Sequence, residues 1–247
     1  MRANVVCVTL FAVGISCTGA SAADLPVKAP IPAPIYDWSG FYAGVNLGWG
    51  SADSDWTNTA STPATTFYDA VPGDWFSNRS AGAIGGGQFG YNFQNGPLVY
   101  GVEAMFDAAA LKVTSPSLFG AGDDKFETKI DALFAFTGRV GYAWQNVLLY
   151  GKAGLAIGHV SLSVSDTVGP FTGSGSDDRW VVGPTVGAGL EYGFTPRLSL
   201  AVEYDYTHLN SASYELGGGV GSYLWDVAPH NVHVVTARLN YRFSLAR

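Results

Sequence analysis

Between Gly40 and Gly50 the chain reads GFYAGVNLGWG, with glycine at 40, 44, 48 and 50 and with Phe41, Ala43, Val45, Leu47 and Trp49 on the odd positions. Side chains along a strand alternate between its two faces. The segment therefore has one continuous apolar face and one face of glycine, Tyr42 and Asn46. In a soluble sheet the small, polar face would meet water, and glycine there would weaken the strand. In a membrane barrel the apolar face meets lipid and the small face lines a narrow lumen. The rest of the chain separates these two readings.

The same alternation recurs in seven further runs. Phe89, Tyr91 and Phe93 oppose Gln88, Gly90 and Asn92. Leu98, Tyr100, Val102, Ala104 and Phe106 oppose Gly101, Glu103 and Asp107. Ile130, Ala132, Phe134, Phe136, Val140 and Tyr142 face away from Lys129, Asp131, Arg139 and Gly141. Leu149, Ala153, Leu155 and Ile157 oppose Lys152, Gly154, Ala156 and Gly158. Val186, Ala188, Leu190, Tyr192 and Phe194 oppose Gly187, Gly189, Glu191 and Gly193. Leu198, Leu200, Val202, Tyr204 and Tyr206 oppose Ala201, Glu203 and Asp205. The last run sets Val235, Ala237, Leu239, Tyr241 and Phe243 against Thr236, Arg238, Asn240 and Arg242.

The connectors alternate in length. Long polar segments at about 51 to 79, 112 to 125, 165 to 179 and 209 to 229 are separated by tight turns at 94 to 97, 144 to 146 and 195 to 197. Strict alternation places both chain ends on the short-turn side, as an even-stranded barrel in an outer membrane requires. The pattern predicts an all-β fold, an eight-stranded antiparallel up-and-down transmembrane β-barrel with four long extracellular loops and three short periplasmic turns, over 39–243.

Composition fits lipid-facing strands. Charged residues make up 13% of the chain and aromatics 14%, with 32 glycines; charge is about half the usual share. No apolar run after the N-terminus reaches the roughly 20 residues of a spanning helix. The first 22 residues, with Arg2, an apolar core and Ala20 and Ala22 at A-x-A spacing, read as a cleaved secretory signal peptide. Both cysteines, Cys7 and Cys17, lie inside it, which removes disulfides and thiol chemistry from the mature chain. Residues 23–38, with prolines at 26, 30, 32 and 34, read as an extended periplasmic arm, and 244–247 as a short tail. With a formal net charge of −7 nothing invites nucleic acid.

Charge facing lipid at mid-depth costs kilocalories, and an eight-stranded barrel is only wide enough for side chains to fill. Glu103, Asp107, Glu127, Lys129, Asp131, Arg139, Lys152, Glu191, Glu203, Asp205, Arg238 and Arg242 are therefore expected to share the interior as a paired ionic network that largely plugs the lumen. Trp38, Trp49, Trp75, Trp144, Trp180, Tyr206 and Trp225 read as interfacial girdles, while Trp56, Trp75 and Trp225 are the candidate ligand contacts of the loops.

Motifs for chemistry are weak. Gly85 to Gly90 matches G-x-G-x-x-G in form, but no helix follows to hold a pyrophosphate. His159, His208, His230 and His233 have no metal-ligand spacing, although His208 and His230 flank the last long connector, where a haem contact is the alternative to solvated polar residues. Ser161 or Ser163 beside His159 has no catalytic spacing, and Asn78-Arg79-Ser80 is a sequon by pattern alone. No cofactor, metal or catalytic residue is expected, and the chain is not expected to be an enzyme.

AADLPVKAP, DWSGFYAGVNLGWG, GGGQFGYNFQ, YGVEA, TGRVGYAW, LLYGKAGLA, VGAGLEYGF, LSLAVEYDY and LNYRF together resemble the alphaproteobacterial family of small outer-membrane β-barrel proteins, related in architecture to the membrane domain of OmpA. The resemblance implies a porin-like, often immunogenic surface protein, some relatives binding hemin, without catalytic residues. It also implies an insertion signal in the closing strand, carried here by Tyr241 and Phe243 and read by the barrel-insertion machinery. Arg238 stands where a small residue is usual, and Ser244 to Arg247 trail beyond the signal. Three functions follow as expectations: a structural envelope protein among outer-membrane lipid and lipopolysaccharide, a passive porin, or a loop receptor for hemin or a host component.

Overall fold

The computed structural model describes residues 36–62, 71–116, 124–166, 173–218, 221–227 and 230–243. The expected signal peptide, most of the expected proline-rich arm and residues 244–247 lie outside the described residues. Every described element is a strand: β1 (Gly40–Thr62), β2 (Trp75–Asn95), β3 (Leu98–Pro116), β4 (Lys125–Trp144), β5 (Val147–Asp166), β6 (Gly173–Gly193), β7 (Leu198–Leu209), β8 (Ala212–Gly218), β9 (Gly221–Val227) and β10 (His230–Arg242). Among the described residues no helix is long and apolar enough to cross a membrane, a criterion that does not address strands.

All pairings are antiparallel; β1 to β7 pair in sequence order, and β10 pairs with both β7 and β1, which closes the sheet into a ring. Closure removes the sheet's edges, so backbone donors and acceptors find partners within the wall. Tight turns close one end. Gly96 (φ 60°) and Gln145 (φ 56°) take the left-handed backbone that two of them need.

Alternation along β1 sorts as its sequence suggests. Val45, Leu47 and Trp49 are 61%, 69% and 62% exposed on the outside, while Tyr42 and Asn46 are buried. A Cβ on Gly44 would run into the side chains of Asn240 and Gln88, so this glycine faces inward. Outward apolar rows recur on every ring strand; on β10 the row runs from Val235 to Phe243, close to the roughly 9–11 residues of a tilted spanning strand.

The strands run on where polarity suggested loops. β1 continues to Thr62, β3 to Pro116, and β6 already begins at Gly173, because alternation persists above the apolar belt with polar residues outside in place of apolar ones. The expected last long connector contains β8 and β9, paired with each other, with β9 also on the upper part of β1.

One expectation about parity is corrected. In β4 the register shifts between Ile130 and Ala132, and the extra residue, Asp131, turns the strand over above that point. Ile130 is fully buried inside. Lys129 and Asp131 consequently leave the interior and pair with each other on the outer face at 3.1 Å, 45% and 31% exposed. Glu127 also faces out, paired with Lys112 at 2.8 Å.

Glycine sets how closely interior side chains approach the wall. A Cβ at Gly90 would lie inside the ring of Tyr42, and one at Gly189 inside that of Tyr150. Gly90→Val and Gly189→Val are expected to lower stability by about 1–3 kcal/mol through overpacking. Gly151→Ala, whose Cβ meets only the Gly187 carbonyl at 3.8 Å, should stay within about 0.5 kcal/mol. The temperature at which each variant loses its compact gel migration measures the difference.

Candidate functional site

The interior is filled in three layers. At the short-turn end Trp38, fully buried, packs with Val99, Ala143, Leu148 and Tyr150. Its backbone N–H donates to Gln94 Oε1 at 2.7 Å. At the far end a larger apolar cluster gathers around Trp56, Phe76, Phe126 and Trp225, whose rings meet at centroid distances of 5.0 to 5.9 Å. Between them lies a layer of charge, the candidate site.

Each strand of the ring contributes to that middle layer. Arg139 on β4 pairs with Glu191 on β6 at 2.9 Å and lies 3.7 Å from Glu103 on β3. Lys152 on β5 pairs with Glu203 on β7 at 2.6 Å, with Asp205 at 3.1 Å and with Glu103 at 3.6 Å. Arg238 on β10 bridges Glu103, at 2.6 Å, and Glu203. Tyr42 donates to Glu103 and Tyr150 to Glu203, both at 2.6 Å, and the Arg139 guanidinium stacks 4.1 Å from the Tyr150 ring. Amides join the layer to β1 and β2: Asn46 donates to Asp107 at 2.7 Å, and Gln88 to Asn240 at 2.8 Å.

Glycine makes this density possible. Across the ladders Arg139 faces Gly101, Lys152 and Asp205 both face Gly187, Glu203 faces Gly189 and Asp107 faces Gly86. A Cβ at Gly86 or Gly187 would sit on the carboxylate of Asp107 or Asp205. The Glu103, Glu191, Glu203, Arg139, Lys152 and Arg238 side chains are 0–3% exposed. Buried charges persist at this level only when paired and hydrogen-bonded.

Of the residues expected in the network, Glu103, Asp107, Arg139, Lys152, Glu191, Glu203, Asp205 and Arg238 come together here. Lys129 and Asp131 do not, for the bulge carries them to the rim, where His159 approaches Asp131 at 2.7 Å and Asp178 at 3.1 Å. Arg242 sits apart at the short-turn end, 4.8 Å from the rings of both Tyr36 and Trp38, and donates to the Asp37 carbonyl at 2.6 Å.

The tryptophans divide as well. Trp75 is 69% exposed, whereas Trp56 and Trp225 are wholly buried and form no exposed contact surface. Trp38 and Trp225 likewise lie inside, and Trp49, Trp144 and Trp180 remain on the outer face. His208 bonds Asn231 at 2.8 Å while His230 is buried; the ladder pairs them with Asn231 and Leu209, on opposite faces. Tyr241 and Phe243 face outward with ring centroids 5.3 Å apart. Sequence reasoning missed Tyr150, Gln88 and Asn240 as members of the layer and Trp38 as the end stopper. Inner parity was the available signal for the first three.

Among the described residues no group of three or more His, Cys, Asp or Glu could hold a metal ion. What the arrangement does chemically is to hold oppositely charged side chains against one another inside the ring.

The family model for the outer membrane protein beta-barrel domain matches residues 9–243. The chain is 34% identical over 239 residues to a 31 kDa outer-membrane immunogenic protein of Brucella melitensis biotype 1, covering 92% of this chain and 94% of that one. It is 34% identical over 199 residues to a 22 kDa outer membrane protein of Rhizobium leguminosarum bv. viciae, covering 80% and 74%. Among solved structures, the outer membrane protease OmpT of Escherichia coli superposes with a TM-score of 0.50 at 11% identity, covering 82% and 96%; that likeness concerns the fold alone.

Removing one partner from the layer should be costly. Arg238→Met leaves Glu103 and Glu203 short of their shared cation and is expected to lower stability by about 3–5 kcal/mol. Lys129→Met at the rim should change it by about 1 kcal/mol or less. Urea unfolding in one lipid system checks both; equal effects would place Lys129 in the network after all.

Proposed function

The chain belongs to the outer-membrane β-barrel family, whose relatives are named as outer-membrane immunogenic proteins, and on that footing we propose that it is a structural, non-catalytic wall element of the outer membrane with a closed lumen. The observation that carries the reading is the three-layered interior, apolar, ionic and apolar, which fills the ring from Trp38 to Trp225. A passive porin would need a continuous polar path past both apolar layers.

The barrel has eight walls in this reading. β7 with β8, and β9 with β10, act as single broken strands, and Glu215 N–H on β8 reaches Asp177 on β6 at 3.0 Å where β7 has ended. The short turns face the periplasm and the longer connectors the cell surface, which suits a protein whose chain ends both approach the short-turn side. Tyr241 and Phe243 serve the insertion machinery, and outer-membrane lipid and lipopolysaccharide surround the outward rows.

A loop receptor for hemin or a host component finds less support, since two of the three tryptophans proposed to make it are interior. The purified monomer in planar bilayers is expected to show no steady channel. Steady, sizeable single-channel conductance would overturn the closed lumen.

A further inference from the structure

The far apolar layer depends on a piece of wall that the ring secures along one side only. β8 and β9 form a hairpin that carries Tyr214, Leu216, Tyr223, Trp225 and Val227 into that layer, all buried. One ladder, from β9 to the upper part of β1, ties the hairpin to the ring, and its register breaks between Asn58 and Ala60. On the other side, among the described residues, no ladder joins β8 to β6. There the Glu215 N–H bonds the Asp177 carboxylate at 3.0 Å, and the Arg179 guanidinium lies 5.7 Å from the Tyr214 ring. A strand pair held by side chains along one edge opens at lower free energy than strands laddered on both edges.

His230 stands at the root of this hairpin as the first residue of β10, above the lipid-facing row that begins at Val235. It is 1% exposed, and neither ring nitrogen has a hydrogen-bond partner among the described residues. Across the ladder it meets Leu209. Inward, the strands around it offer the phenols of Tyr214 and Tyr223, the Asp177–Arg179 pair at the rim of β6 and, one layer down, Asp205 on β7, which Lys152 holds at 3.1 Å. Asp53 and Asp55 on β1, Asp178 on β6, His208 on β7, Glu215 on β8, Asp226 on β9 and His233 on β10 face outward. No anion is placed to receive an imidazolium at 230, and burial alone pushes the His230 pKa down, to about 4.

We propose that the β8–β9 hairpin is an acid-released lid over the far end of the ring, with His230 as its latch. A neutral imidazole in this layer costs only its missing hydrogen bonds, whereas a charged one with no partner costs far more. Opening brings water to the ring, which then takes up a proton at the ordinary value of about 6.5; the closed form takes one up only near 4. Acid therefore favours the open form from about pH 6.5 downward, and the effect saturates below about pH 4. Between pH 7 and pH 5 the opening equilibrium rises about 20-fold. The ionic layer beneath is no part of the latch, so the inference holds whether or not the lumen conducts.

Hydrogen exchange of the full mature chain refolded in one lipid system, read by peptide mass spectrometry and corrected for the intrinsic rate at each pH, measures the opening. Peptides covering 212–227 are expected to exchange about 20-fold faster at pH 5 than at pH 7, while peptides covering 98–108, in the ring, keep one corrected rate. His230→Leu removes the titrating group and should abolish the difference. His230→Gln, neutral and polar at both pH values, takes its place if the leucine variant does not fold. An unchanged corrected rate for 212–227 in the wild-type protein overturns the proposal. The same acceleration in a variant without the imidazole overturns it too, by moving the titration to a carboxylate, as does equal acceleration of 98–108, which would mean that the whole barrel loosens.

Discussion

The width of the ring governs everything inside it. A wall of this size leaves an interior that side chains alone can fill, so a charge placed there has neither bulk water nor space to move. It must be met at once by an opposite charge, and the position across the ladder must be empty. That is why Gly86, Gly101, Gly187 and Gly189 stand opposite Asp107, Arg139, Lys152, Asp205 and Glu203. Glycine weakens a strand taken alone, yet here each one makes room for a charge-assisted bond of the kind Arg139 and Glu191 form at 2.9 Å. The two effects belong to one design, and neither makes sense without the other.

The same width explains the layering. Apolar groups close both ends of the ring, and the ions occupy the middle, where hydroxyl and amide groups from Tyr42, Tyr150, Ser199 and Asn240 bond the carboxylates. Withdrawing the pairs from water at both ends strengthens their mutual attraction. It also removes the continuous polar column that a conducting barrel of this size would require. A filled interior with apolar and aromatic residues outside suits the wall of an outer-membrane β-barrel.

Much of this was legible in the residues. Period-two alternation with carboxylates confined to one face located the ring strands and assigned Glu103, Arg139, Lys152, Glu191, Glu203 and Arg238 to the interior. It failed where parity is not carried by sequence spacing. At Asp131 a single extra residue turns β4 over, and nothing in FETKIDALF announces a bulge, so Lys129 and Asp131 were assigned to the wrong face. Polarity also misled at the far end of the strands. Outside the lipid belt a strand's outer face turns polar, and segments such as 51 to 62 look like loops although their inward residues, Ala52, Ser54, Trp56 and Asn58, stay buried. Trp56 and Trp225 followed from that error, because a tryptophan in an apparent loop suggests a contact surface when it is in fact core.

The seam between β1 and β10 joins the two ends of the ring, for Tyr42 lies beside Arg242 in the ladder. Contacts so distant in sequence carry the largest loop-closure penalty of any in the sheet. At that seam the Arg242 guanidinium rests against the neighbouring rings of Tyr36 and Trp38, residues that precede the first strand, while Phe243 N–H bonds the Phe41 carbonyl at 2.8 Å. The contact works as a clasp. It can fasten only when the first and last strands have met, so the lowest interior layer and the closed ring are completed in a single event, and a barrel whose seam had opened would lose its stopper with it.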